Sequence, residues 1–279
     1  MSGLLDPPAV RRLAQRAGLT PAKHWGQNFV VDANTVRRLV RLAGVGAGQT
    51  VLEVGPGFGS LTLGLLEAGA QVSAVEIDAR LAHLLPATAA ERLPDDAHRL
   101  DVINDDAMRL EHLAHQPVAL VANLPYNVAV PVLLHTLATF ETITGGLVMV
   151  QLEVARRLTA TPGGRVYGVP SAKLAWFASA RLVGTVPPSV FWPVPNVESG
   201  LVYFERRPAP SAVPRQQVFA VIDAAFAQRR KMLRSALSRL SDAATLDKAL
   251  QEAGVQPSAR GETLTVEQFA AIAAHLSGV

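Results

Sequence analysis

Apolar residues in this chain come in short bursts divided by Gly, Pro or charge, and longer amphipathic stretches separate the bursts. The burst at 50–54, Thr-Val-Leu-Glu-Val, reads as a buried strand that ends in a glycine-rich turn at 55–60. A helix follows from Leu61, with Gly69 placed to cap it, and a second strand at 71–77 comes directly after. The pattern continues with a helix over 79–93, a short strand at 100–103 and an apolar strand at 118–122 that runs into Asn123-Leu-Pro-Tyr126. A helix at 132–140, a strand at 146–151 and a helix at 153–160 extend the alternation. Strands and helices alternating in this way predict an α/β fold with a parallel, doubly wound sheet. Residues 191–199 hold too much proline for regular structure, and 200–204 reads as a closing strand. The proline-rich stretch 206–215 marks a boundary between a domain at 1–205 and a small α-helical domain at 206–279. Helices are expected there over 217–240, 243–253 and 266–276, the last behind the capping box Thr265-x-x-Gln268. A helical segment is also expected at 10–17.

Composition narrows the function classes. At 279 residues with 49% hydrophobic and 18% charged, the chain can bury a sizeable core. No apolar run reaches the roughly 18 residues of a spanning helix, and residues 1–8 lack the basic and apolar regions of a secretion signal, so a cytoplasmic location is expected. The absence of cysteine excludes disulfides, thiolate metal sites and a thiol nucleophile. The seven histidines show no ligand spacing, so no metal is expected either. Net charge is only +3, but its distribution is uneven. Residues 1–40 carry six basic and two acidic residues, and 206–234 carry seven basic and one acidic, leaving an acidic middle. Two basic ends of this kind are compatible with a nucleic-acid partner.

Three features carry candidate chemistry. Gly55, Gly57 and Gly59 follow a strand and precede a helix, where backbone N–H groups can approach a ligand. Their G-x-G-x-G spacing differs from the dinucleotide-binding G-x-G-x-x-G, and a tight turn with no ligand is the plain alternative. Glu76, 21 residues after Gly55 at the end of the next strand, is placed to accept hydrogen bonds from both hydroxyls of a ribose. NAD and S-adenosylmethionine both carry that ribose. Asn123-Leu124-Pro125-Tyr126 favours the second. An amide oxygen and a backbone carbonyl beside a rigid proline can accept both N–H bonds of an exocyclic amine and turn its lone pair toward an electrophilic methyl, while a tyrosine stacks on the base. Taken alone, N-x-P-Y is equally a turn with an asparagine helix cap.

Lys23-His-Trp-Gly-Gln-Asn-Phe-Val-Val-Asp32, Glu53-Val-Gly-Pro-Gly-Phe-Gly-Ser60, Val75-Glu-Ile-Asp78, Asp105-Asp-Ala-Met108, Asn123-Leu-Pro-Tyr126, Phe191-Trp-Pro-Val-Pro-Asn-Val-Glu-Ser199 and Phe226-Ala-Gln-Arg-Arg-Lys-Met-Leu-Arg234 follow one another along the chain. In this order they resemble the ribosomal RNA adenine N6-dimethyltransferases over about residues 20–275. The resemblance is strongest to the bacterial members that dimethylate two adjacent adenosines near the 3′ end of 16S rRNA. It implies a Rossmann-like class I methyltransferase sheet with S-adenosyl-L-methionine as cofactor. It implies contacts to that cofactor from Asn28, Val30, Gly55, Gly57, Glu76, Asp106 and Asn123. Glu76 would hold the ribose and Asp106 the adenine amino group, with a less defined, positioning part for Gln27.

The resemblance also implies a catalytic set of Asn123, Leu124, Pro125, Tyr126 and Phe191, in which Tyr126 and Phe191 sandwich the flipped target adenine. Val30 stands where leucine is commoner in the family, and Pro170 also departs from its usual leucine. Arg229, Arg230, Lys231 and Arg234 fall at helical spacing and are expected to contact rRNA phosphates, although a solvated helix face has the same pattern. The implied partner is 16S rRNA in immature 30S subunits, met by a monomeric enzyme with no membrane association. The related large-subunit resistance methyltransferases, a mainly non-catalytic role in subunit assembly, and a remote NAD dehydrogenase are the alternatives.

Overall fold

The computed structural model describes residues 3–19 and 28–276. The chain forms two units: one runs up to Ala155 and includes Arg181–Arg206, and the other comprises Arg156–Ala180 and the chain from Arg207 on.

In the first unit, α1 (Pro7–Arg16) starts where the Asp6 side chain accepts from the Ala9 N–H at 2.8 Å and Pro7 presets the first turn. Its Ala9, Val10, Leu13 and Ala14 are buried, the spacing of one helix face. After β1 (Phe29–Val30), α2 (Ala33–Ala43) is capped by Asp32, which accepts from the Thr35 N–H at 2.7 Å, and is closed by left-handed Gly44. The sheet then builds through β2 (Thr50–Val54), α3 (Ser60–Glu67), β3 (Gln71–Val75), α4 (Ala79–Arg92), β4 (Leu100–Ile103) and β5 (Ala119–Asn123). It is completed by α5 (Ala129–Thr139), β6 (Gly145–Gln151) and, after α6 (Leu152–Leu158) and α7 (Val169–Phe177) of the intervening chain, by β7 (Ala178–Val186) and β9 (Ser199–Arg206), with β8 (Phe191–Trp192) paired to β1.

Strand order in the seven-stranded sheet is β4-β3-β2-β5-β6-β9-β7. The first four pairings are parallel, and β9 runs antiparallel to β6. A mixed α/β doubly wound sheet is therefore present, and its order reverses between β2 and β5, the place where such sheets hold ligands. Central strands are buried on both faces, as helices on each side require, and are apolar but for Thr50 and Glu53 in β2 and Asn123 at the end of β5. Arg206 donates to the carbonyls of Leu137 and Phe140 at 2.8 and 2.9 Å, so the end of α5 is satisfied by a cation. Among the described residues, no helix is long and apolar enough to cross a membrane.

The second unit adds α8 (Arg215–Ala227), α9 (Leu233–Ala236), α10 (Ala243–Glu252) and α11 (Val266–His275). The capping box forms as expected: the Gln268 N–H reaches the Thr265 hydroxyl, and the Thr265 N–H reaches the Gln268 side chain. Two features differ from the pattern-based expectation. The helix expected over 217–240 is two pieces, because the run Gln228–Lys231 has no buried side chain to hold a further turn against the unit. The break lets Leu233 turn inward and become fully buried. Residues 156–180 also fold with these helices rather than with the sheet. The Tyr167 hydroxyl donates to the Leu264 carbonyl at 2.9 Å, its ring lies 5.9 Å from Phe226, and Lys173 pairs with Asp223 at 2.8 Å. A division at 205/206 alone misses this exchange of segments. Pro170 is accommodated in the first turn of α7, where no backbone N–H is needed.

Candidate active site

Past the C-terminal ends of β2, β3 and β5 lies a cavity of about 310 Å³. Its wall includes Asn28, Val30, Gly55, Gly57, Glu76 and Asp106, and, from the turn after β5, Asn123, Leu124, Pro125 and Tyr126. Ten residues separated by up to 98 positions along the chain thus converge on one cavity. Gln27 lies outside the described residues.

The glycine turn shapes the floor. Gly55, Gly57 and Gly59 all have positive φ (71°, 59° and 92°), so the chain reverses closely enough for the Gly57 N–H to donate to Glu76 Oε2 at 3.1 Å. One side wall is β1, whose Val30 lies opposite Phe191 and whose Phe29 lies opposite Trp192 in β8. The Ser60 hydroxyl donates to the Val30 carbonyl at 2.5 Å, and the Phe29 and Phe58 rings lie 4.4 Å apart. Together these contacts hold the Asn28–Val30 segment against the turn. The expectation of irregular structure from Phe191 onward is corrected at its first two residues. A two-residue edge pairing leaves the prolines that follow free of any ladder bond.

Glu76 is 6% exposed and accepts from two backbone N–H groups, those of Gly57 and Asp78 at 3.1 and 3.0 Å. Burial pushes its carboxyl above the usual carboxylate range, and these bonds pull against that shift. Asp106 accepts from the Met108 N–H at 2.9 Å. Exposed Ile77 and Met108 give the same stretch of wall an apolar lining.

Glu53 was not among the expected site residues, although an acid inside the apolar burst at 50–54 was a visible signal. It lines the cavity at 1% exposure, and Thr62 donates to it at 2.6 Å. Burial pushes its carboxyl from 4.5 up to about 8, the Thr62 bond lowers it, and the nearby Glu76 charge adds to the rise. The folded protein therefore keeps a proton that the unfolded chain releases. Stability contributed by this group is complete below pH 4.5 and is lost as pH rises to about 8. Glu53→Gln, which retains an acceptor for Thr62, is expected to remove this slope. Calorimetric melting should give equal stability for variant and native protein near pH 4.5 and a more stable variant above about pH 8. Parallel curves would show that Glu53 is not protonated in the fold.

Asn123 ends β5, and its orientation is fixed because Nδ2 donates to the Asn28 carbonyl at 3.0 Å. Its Oδ1 is buried with no hydrogen-bond partner among the described residues. A buried acceptor left open costs on the order of 1–3 kcal/mol, so this atom is available to a donor that the described residues do not supply. The Leu124 N–H is tied to the Met149 carbonyl at 3.0 Å, and the Pro125 carbonyl accepts from the Val128 N–H at 3.2 Å. The Tyr126 ring is half-buried, and its hydroxyl shares a hydrogen bond with Ser199 at 2.9 Å.

Two expectations are qualified by the structure. Phe191 is 2% exposed and packs in the core cluster, behind the residues that line the cavity, which leaves its part in a base sandwich a proposal. Its backbone lies opposite Val30 in the β1–β8 pairing. Arg229, Arg230, Lys231 and Arg234 do not share a helix face, since the first three lie in the break after α8. Arg229 pairs with Glu262 at 2.8 Å and Arg234 with Asp247 at 2.5 Å, whereas Arg230 and Lys231 are exposed and have no ion-pair partner among the described residues.

The family described as ribosomal RNA adenine dimethylase matches residues 19–277. The ribosomal RNA small subunit methyltransferase A of Cutibacterium acnes is 58% identical over 279 residues, covering 97% of this chain and 94% of that protein. Its counterpart in Thermobifida fusca is 58% identical over 275 residues, with 98% and 96% covered. Among solved structures, the 23S rRNA methyltransferase ErmE superposes with a TM-score of 0.65 at 27% identity, covering 89% of this chain and 99% of ErmE. A dimethyladenosine transferase from Plasmodium falciparum gives 0.72 at 20% identity, with 88% and 95% covered, a likeness of fold.

Proposed function

The chain belongs to the ribosomal RNA adenine dimethylase family, and from that premise we propose that it methylates N6 of two adjacent adenosines near the 3′ end of 16S rRNA, giving dimethyladenosine during small-subunit maturation. It is an S-adenosylmethionine-dependent methyltransferase. The observation that carries the reading is the buried Oδ1 of Asn123 on the cavity wall, without a hydrogen-bond partner among the described residues.

The residues present fit the cofactor. The close-approach glycine turn and the buried Glu76 carboxyl match a ligand with an amino-acid end and a ribose, and Asn123, on the same wall, would border both this ligand and the target base. Glu76 would accept from the ribose hydroxyls, Gly55 and Gly57 would cradle the amino-acid end, and Asp106 would take the adenine amino group. Asn28 and Val30 would close the side wall, and Ile77 and Met108 would pack on the adenine ring. When bound, S-adenosylmethionine supplies an electrophilic methyl on a sulfonium.

The chain's own residues then act on the target base. Asn123 Oδ1 and the Leu124 carbonyl accept the two N–H bonds of the adenine amine, which holds its lone pair out of conjugation and directs it at the methyl. Leu124 is the better carbonyl, since that of Pro125 is already engaged by Val128. Tyr126 stacks on the extruded base and excludes water from one face. No strong base is called for, because a methylated ammonium gives its proton to water readily. After the first transfer one N–H remains, so Asn123 and Leu124 cannot both keep their bonds, and the amine must rotate before the second.

The substrate on this reading is the immature 30S subunit in the cytoplasm, bound by a single copy of the chain. Incubation with tritiated S-adenosylmethionine and 30S subunits from a strain lacking the modification, followed by mass mapping of the rRNA, tests it. Two adjacent dimethyladenosines near the 3′ end are expected, and label confined to 23S rRNA would overturn the proposal. Of the basic residues around the break after α8, Arg230 and Lys231 are the ones with no ion-pair partner among the described residues, and they are assigned to phosphate. Changing both to alanine should weaken subunit binding and reduce the salt slope, log K against log salt, by about two. An unchanged slope would remove them from the interface.

A further inference from the structure

Tyr126 can stack on a base only if something fixes the plane of its ring. The ring sits in a turn between β5 and α5, outside any strand or helix, where side-chain torsions are not set by a ladder. The backbone on either side is tied down, at Leu124 by Met149 and at Val128 by Pro125, but neither bond restrains the ring itself. The hydrogen bond between the Tyr126 and Ser199 hydroxyls, at 2.9 Å, does.

Ser199 is well built for this task. It is the first residue of β9, is completely buried and lies opposite Gln151 in β6. The adjoining Glu198 carbonyl accepts from the Leu152 N–H at 2.9 Å. Two residues along the same ladder, Leu201 lies opposite Met149, which in turn lies opposite Asn123 in β5. The strands that carry the Asn123 acceptor and the Ser199 hydroxyl are therefore locked in register through one shared neighbour, β6. A buried serine at this position has no need of its hydroxyl for packing, and among the described residues its side chain bonds to the tyrosine.

We propose that Ser199 is a positioning residue for methyl transfer: its hydroxyl pins the Tyr126 ring in the plane that stacks on the target adenine, in register with Asn123. The inference rests on the reading of Tyr126 as the stacking surface. A ring free to turn would still allow the base to enter but would hold the amine less well aimed, so the loss should fall on kcat and spare cofactor binding.

The experiment measures methyl transfer to unmodified 30S subunits, with S-adenosylmethionine affinity by calorimetry, for the native protein, Ser199→Ala, Tyr126→Phe and the double variant. Native activity on the subunits tests the underlying reading by itself; with no transfer there, that reading fails first. With native transfer present, each single variant is expected to lower kcat by about tenfold with the subunit KM and the cofactor Kd within twofold of native. The double variant is expected to be no slower than either single, since both changes delete the same bond. Three results would overturn the proposal: Ser199→Ala within twofold of native, losses that multiply in the double variant, or a cofactor affinity that falls with kcat.

Discussion

Asn123→Ala is expected to lower methyl transfer to small-subunit rRNA by about three orders of magnitude, the scale on which losing one preorganised polar group from a reacting centre is felt. The fold should survive. The Leu124 N–H keeps its bond to Met149 and the Val128 N–H its bond to Pro125, so the turn retains its path. What disappears is the oriented Oδ1, buried and without a partner among the described residues. The Asn28 carbonyl also loses its donor, a cost confined to one wall of the cavity. Cofactor affinity, spread over the glycine turn, Glu76 and Asp106, should change only a few-fold. Asn123→Asp is the sharper companion. A carboxylate offers acceptors in the same place but no N–H for Asn28, so the two oxygens repel and the side chain swings away. Single-turnover methylation beside calorimetric titration of S-adenosylmethionine reads both effects. Activity within tenfold of native for Asn123→Ala would mean that the amine is aimed by something else.

Much of this was legible in the chain because the relevant signals are local. The strand at Thr50–Val54, its glycine turn and the helix after it depend on neighbours within a few residues, as does the Thr265–Gln268 box. So does the turn after β5, where Asn123 ends the strand and a proline follows two residues later. What was not legible depends on distant partners. The apolar residues of α7 follow no helical stripe because the helix is buried among others on several sides, and its second residue is a proline. The break after Ala227 has no glycine or proline to announce it. Arg229 and Arg234 look available for RNA until Glu262 and Asp247, 33 and 13 residues away, are seen to hold them. Phe191 looks like an open stacking ring, and only the pairing of its strand with Val30 and the core around it show that it is buried. Asn123 was visible as a candidate, but the freedom of its Oδ1 was not, since that depends on Asn28, 95 residues earlier, taking the other end of the amide.

The second large effect is expected from Gly57→Ala, which should raise the S-adenosylmethionine Kd by about a hundredfold while leaving the protein folded. Two costs combine. The residue has φ of 59°, a region that costs a side chain roughly 1–2 kcal/mol. A Cβ there would also lie 2.7 Å from Cδ1 and Cε1 of Phe29. The Phe29 ring cannot easily retreat: it packs on Phe58 at 4.4 Å, and its strand is paired to Trp192. Relief must come from moving the turn or the Asn28–Val30 wall, and either movement pulls the Gly57 N–H from Glu76 and distorts the cradle. Gly163→Ala separates the two costs. It has φ of 81° but nothing within 4 Å of the added carbon, so it carries the backbone strain without the clash and lies outside the cavity wall. It should lower the melting temperature by a few degrees and leave cofactor affinity unchanged. Calorimetric titration of both variants decides the matter. Equal losses of affinity would mean that general destabilisation explains the effect, and a loss confined to Gly57→Ala would locate it in the approach of Phe29 to the turn.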